Sequence, residues 1–102
     1  MSGTIVGMLV EQMSGVIDRY LHTNLNYITA DEISDNISDL EDIQNTYSDE
    51  DDADILLGYV SRLIAHLYVA EGYATDDVPR NIEYYSHMEA ARRLFRQIRS
   101  LE

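Results

Sequence analysis

The chain has 102 residues, 45% of them apolar, and carries 19 acidic against 7 basic residues, for a formal net charge of -12. This length predicts one domain over residues 1–102, and the apolar content excludes a disordered tail. Cysteine is absent, which excludes disulfides, thiolate nucleophiles and cysteine-based zinc sites. Direct nucleic-acid binding needs a net basic face, so the charge balance argues against it.

The first predicted element is a helix near residues 4–22, where apolar residues recur at steps of three and four. Gly3, Gly7 and Gly15 lie at multiples of four along one side of it. Glycine weakens a helix interior, so another helix packing closely there is one reason for the stripe. This stripe is a candidate homodimer face, and the monomer and the homodimer stay equally open. The apolar run at residues 5–10 is too short to cross a bilayer and lacks a signal peptide's basic flank, so we expect a cytoplasmic protein without a membrane partner.

A second helix is predicted near residues 30–45. Thr29 and Glu32 have the spacing of a capping box, and Ile28 and Ile33 occupy the two positions of a hydrophobic staple. Aspartate has a poor helix propensity, so this aspartate-rich helix depends on its cap and its packing.

Two more helices are predicted, near residues 49–71 and 79–101. Ser48 is placed to cap the first of them, and Gly72 to end it as a C′ residue. Pro79 suits the first turn of the last helix. The third helix is the most apolar and should be central. Together these elements predict an all-α fold, a small single-domain bundle of about four helices with antiparallel neighbours.

Residues 29–54 hold eleven of the nineteen acidic residues and no arginine, lysine or histidine. The positive end of a helix dipole favours carboxylates in a first turn, and this accounts for only part of the cluster. Asp35, Asp39 and Asp42 follow one face of the second helix instead. The predicted partner-binding residues are Asp31, Asp35, Asp39, Glu41, Asp42, Tyr47, Asp49, Glu50, Asp51, Asp52 and Asp54.

Three functions compete for this pattern. The first is a non-enzymatic inhibitor, of the phage or mobile-element type, that acts in a host cytoplasm by occupying a basic nucleic-acid-handling protein through charge mimicry. The second is a helical assembly or dimerisation subunit from a halophile, in which the acidic residues only keep the protein surface solvated. The third is a helical oligomer that sequesters an anionic small ligand through Arg92, Arg96 and Arg99. We favour the first, because acidic residues that only solvate the protein should be spread over every surface.

We predict no catalytic residue, metal ligand or cofactor. The segment DEDDADILLGYV fails as a calcium loop, since Asp54 replaces the required glycine and Val60 the bidentate glutamate. No G-x-S-x-G motif or glycine-rich phosphate loop is present. His22, His66 and His87 fall on three different predicted helices, and His66, flanked by core positions, is expected to be a satisfied interior or boundary histidine.

Overall fold

The computed structural model describes residues 2–74 and 81–100, with side chains from residue 5 onward. Within these ranges it contains no strand, which confirms the all-α class. The described α-helices number five, not four: α1 (Ser2–Ile17), α2 (Arg19–His22), α3 (Ala30–Thr46), α4 (Asp54–Tyr73) and α5 (Ile82–Ser100). Short 3₁₀ turns lie at Leu25–Tyr27 and Asp51–Ala53. The antiparallel arrangement of neighbours stays a prediction.

The extra helix arises because the predicted first helix is interrupted at Asp18. The interruption is slight, since Asp18 keeps helical dihedral angles and its N–H still donates to the carbonyl of Ser14 at 3.0 Å. The chain turns away only at Thr23, whose backbone is extended.

The start of α3 confirms half of the predicted capping box. Thr29 is the N-cap, and its hydroxyl oxygen accepts the N–H of Glu32 at 3.1 Å. The carboxylate of Glu32 pairs with Arg19 of α2. Glu32 therefore ties α3 to α2, where the sequence pattern predicted a bond back to the cap.

The third predicted helix corresponds to α4, and both of its predicted ends are wrong. Ser48 does not cap it, because its hydroxyl donates to the carbonyl of Asn45 at 3.0 Å and α4 begins only at Asp54. Gly72 lies inside α4, which continues to Tyr73, and none of the described glycines has a positive φ. The predicted start of the last helix at Pro79 lies outside the described residues. Within the described residues, the start of α5 is capped by Asn81. The side-chain oxygen of Asn81 accepts the N–H groups of Glu83 and Tyr84 at 3.1 and 3.2 Å.

The core confirms α4 as the central helix, because it packs against both α3 and α5. Its inward side chains, which include Val60, Leu63 and Leu67, are fully buried. The apolar face of α5 is also buried, and its Tyr84 hydroxyl donates to the carbonyl of Leu25 at 2.6 Å. The buried face of α3 is apolar as well, which turns its aspartates toward solvent.

Candidate partner-binding surface

Nine of the eleven predicted contact residues are exposed to solvent. We call this set the acidic surface: Asp31, Asp35, Asp39, Asp42, Asp49, Glu50, Asp51, Asp52 and Asp54. The first four lie on α3, and the other five lie in the connection to α4 and at its first residue. The fold places the four on α3 outward because Ile33, Ile37, Leu40 and Ile43 take the buried face of this helix.

Within the described part of the chain, none of these nine carboxylates makes an ion pair. Two described arginines have other neighbours. Arg19 pairs with Glu32, and the Arg62 guanidinium lies over the ring of Tyr59 at 5.6 Å. The negative charge of the acidic surface is therefore concentrated and not neutralised by neighbouring cations.

The helix dipole explains less of this charge than the sequence suggested. Asp49 lies in a turn and Glu50 outside any helix, so neither occupies the first turn of α4. Asp51 and Asp52 start a single 3₁₀ turn, and of the nine only Asp54 stands in the first turn of α4. The connection thus carries acid that local helix chemistry does not require.

Two predicted contact residues do not belong to the acidic surface. Tyr47 is buried in the core with 6% exposure, and its hydroxyl accepts a hydrogen bond from the Gln12 amide at 3.1 Å. Its prediction as a contact residue was wrong, because an aromatic ring in a connection is better used in packing. Glu41 is half-buried, and both its oxygens lie 3.4 Å from the hydroxyl of Tyr68 on α4. The negative charge of Glu41 is the main reason that the pKa of Tyr68 is raised.

The three arginines proposed to hold an anionic ligand have different neighbours. Arg92 is half-buried and pairs with Glu89 on its own helix at 2.9 Å, while Arg99 approaches Asp18 at 3.8 Å. Arg96 is exposed and has no ion pair among the described residues. The partners of Arg92 and Arg99 therefore lie on α5 and at the α1–α2 junction, and not on the acidic α3.

Arg92 lines an open depression of about 440 Å³ between the α2–α3 connection and α5. Tyr85, His22 and Asn24 also line it, and so does Glu89, which already neutralises Arg92. Neither Arg96 nor Arg99 contributes to this depression, so it lacks the clustered positive charge that the third hypothesis requires.

The predicted glycine stripe lies on α1 as expected, with Gly7 half-buried and Gly15 exposed. A Cβ atom built on Gly15 would meet nothing within 4 Å, so the fold itself does not need a glycine there. A dimer through this stripe stays a prediction.

The structure brings together two histidines that the sequence kept apart. His66 of α4 and His87 of α5 face each other with their Nδ1 atoms 2.9 Å apart, and both are half-buried. This confirms His66 as a hydrogen-bonded boundary residue. Their separation of 21 residues left no local spacing to reveal the pair.

Within the described ranges, no group of three or more histidine or acidic side chains is arranged to hold a metal ion. The segment Asp51–Tyr73 is long and apolar enough to cross a membrane, a test that the core helix of a water-soluble fold also passes. Comparison with protein family models, with curated proteins and with solved structures finds no match for this chain.

Proposed function

We propose that this chain is a non-enzymatic binding protein that uses the acidic surface to occupy a basic, nucleic-acid-handling protein. One observation carries the proposal: nine exposed carboxylates lie between residues 31 and 54, and no described cation neutralises any of them. Unpaired charge of one sign on a fixed scaffold is what steers an oppositely charged partner and sets its register.

The spacing on α3 supports charge mimicry. Asp35, Asp39 and Asp42 are four and three residues apart, so they follow one helix face with separations of about 5 to 6 Å. One strand of B-DNA carries a charge every 3.4 Å or so along its axis, which makes this row about half as dense. Arginine and lysine side chains that bind phosphates would meet carboxylates at reachable intervals, and the connection to α4 together with the first residue of α4 adds five more exposed carboxylates.

Competition with DNA provides the test. Purified nucleic-acid-binding proteins are loaded with a fluorescent DNA duplex, and the fall of anisotropy on adding the chain reports displacement. We expect displacement from at least one such protein, and we expect it to weaken as salt rises from 0.05 to 0.5 M because both charged surfaces are exposed.

A matched pair of variants separates a placed surface from net charge alone. The Asp35→Lys/Asp39→Lys variant and the Glu11→Lys/Glu83→Lys variant change the net charge equally, and all four positions are exposed. We expect the first to raise the half-displacing concentration at least tenfold and the second less than threefold. Equal effects would show that only total charge matters, and failure of wild type to displace DNA from any protein tested would reject the proposal.

The solvation hypothesis makes a different prediction for folding. Circular dichroism melting from low salt to about 3 M potassium chloride distinguishes the two. A cooperative melt near physiological salt agrees with a surface kept for a partner, whereas folding only at molar salt would assign the acid to solvation.

A further inference from the structure

The outward face of α4 carries a regular stripe that the fold leaves uncovered. Its residues follow one another at steps of three and four, the spacing of the a and d positions of a coiled coil. All six are exposed: Ile55, Gly58, Arg62, Ala65, Val69 and Gly72. The six residues form three successive pairs, 55/58, 62/65 and 69/72. In each pair the first residue is large and the second is small.

The fold gives no reason for the small residues. A Cβ atom built on Gly58 or Gly72 would meet nothing within 4 Å, and neither glycine has a positive φ. Glycine weakens a helix interior relative to alanine, so each one costs stability without serving a contact inside this chain. The large positions are also unusual for a water-facing helix, because Ile55 is 75% exposed and Val69 is 41% exposed.

We infer that this stripe is the contact face for a second copy of the chain, which packs against it with its own α4 running antiparallel. In antiparallel pairs the a position of one helix faces the d position of the other. Ile55 then lies against Gly72 of the second copy, Gly58 against Val69, and Arg62 against Ala65. Each large residue meets a small one, and the two-fold axis repeats every contact. A parallel pair would stack Arg62 on its own copy.

The surface shape agrees with this pairing. Ile55, Gly58, Tyr59 and Arg62 line an open depression of about 200 Å³. Their spacing, i, i+3, i+4 and i+7, is that of the four residues that form a hole for one knob of a facing helix. The knob in the antiparallel pair is Val69 of the second copy. A similar depression on α1 is lined by Glu11 and one on α5 by both Glu89 and Arg93, whereas the charged residue of the α4 depression is Arg62.

The size of the stripe sets the strength of the contact. A helix of 20 residues is about 30 Å long and 10 Å wide, a footprint of about 300 Å² per copy before its flanks are added. A standard interface buries about 800 Å² per partner, so we expect a weak dimer. Each copy carries a net charge of -12, and the resulting repulsion means that salt should strengthen the dimer. Binding of the acidic surface to a basic partner should respond to salt in the opposite direction.

Sedimentation velocity of the full chain from 10 μM to 1 mM, at 0.05 and 0.5 M sodium chloride, tests the inference. As the protein concentration rises, we expect the mass to shift from that of the 11.7 kDa monomer toward twice that value. The shift should occur at a lower protein concentration in the higher salt. Two substitutions at exposed Ala65 should then act in opposite directions. Ala65→Arg places a cation against Arg62 of the second copy and should weaken the dimer more than tenfold. Ala65→Glu places a carboxylate there and should tighten it threefold or more.

Gly15→Arg on α1 is the matched control, because Gly15 is also exposed with open space around it. It should leave the dimer unchanged, and circular dichroism should show all three variants folded. A wild-type chain that stays monomeric at 1 mM in both salts overturns the inference. So do Ala65 variants that shift the dimer equally, or a dimer abolished by Gly15→Arg, which would assign contact to α1. Flotation of the chain with phosphatidylcholine vesicles would also overturn it, since the face would then belong to a bilayer.

Discussion

The Nδ1 atoms of His66 and His87 lie 2.9 Å apart and join α4 to α5 by a hydrogen bond between two imidazole rings. Such a bond needs one ring to donate a proton and the other to accept it, so at most one of the facing nitrogens carries a hydrogen. Burial, and next the positive charges of His87 and Arg93, lower the pKa of His66 below its usual value of 6.5. Each histidine has a charged residue one helical turn before it: Arg62 precedes His66 on α4, and Glu83 precedes His87 on α5.

Acid should therefore destabilise the fold at the α4–α5 contact. The unfolded chain binds a proton at His66 more readily than the folded chain, so this contribution to stability is full above about pH 6.5 and is lost as pH falls from there through the lower pKa of His66 in the folded chain. Urea unfolding at pH 7.5 and 5.5 measures this loss. His66→Gln should abolish it and the exposed His22→Gln should retain it; an equal loss in both variants would contradict the assignment.

The hydroxyl of Tyr84 should stabilise the contact of α5 with the segment before α3. It donates to the Leu25 carbonyl at 2.6 Å in the buried core. Tyr84→Phe keeps the ring and removes this bond, so the free energy of unfolding should fall by about 1 kcal/mol. Tyr85→Phe is the control, since the Tyr85 hydroxyl bonds Asn26 at an exposed position and its removal should cost less. Denaturant titration of both variants gives the comparison, and the reverse order would contradict it.

The N-cap of α3 should matter for stability and not for partner binding. Thr29 accepts the N–H of Glu32 and precedes the aspartate row without belonging to it. Thr29→Ala should lower the free energy of unfolding by about 1 kcal/mol, while Thr29→Ser should keep most of it. Where the variant remains folded, its displacement of DNA should match wild type. A binding loss as large as that of Asp35→Lys/Asp39→Lys would place Thr29 in the contact.

The centre of the core should tolerate truncation least. Leu63 of α4 is fully buried, so Leu63→Ala leaves a cavity and should cost about 2 to 5 kcal/mol. Ile55 on the same helix is 75% exposed, and Ile55→Ala should change stability by less than about 0.5 kcal/mol at low micromolar concentration. Thermal and urea unfolding of the pair test the predicted position of the core. Similar losses in both variants would show that α4 does not turn Leu63 inward.

The sequence by itself determined the features that depend on near neighbours along the chain. Apolar steps of three and four predicted the first helix, because a helix brings such residues to one side. Thr29 was recognised as a cap because its bond to Glu32 spans three residues. The same helical periodicity predicted that Asp35, Asp39 and Asp42 lie on one face of α3.

Only the tertiary structure decided which distant residues meet. It buried Tyr47 against Gln12, 35 residues away, and joined His66 to His87 across 21 residues. It also directed Arg99 to Asp18 and not to α3, which left the acidic surface without an internal counter-charge. Such choices depend on how helices pack and on which side chains fill the space between them. No local spacing encodes that, because the contacts form only when separate helices come together.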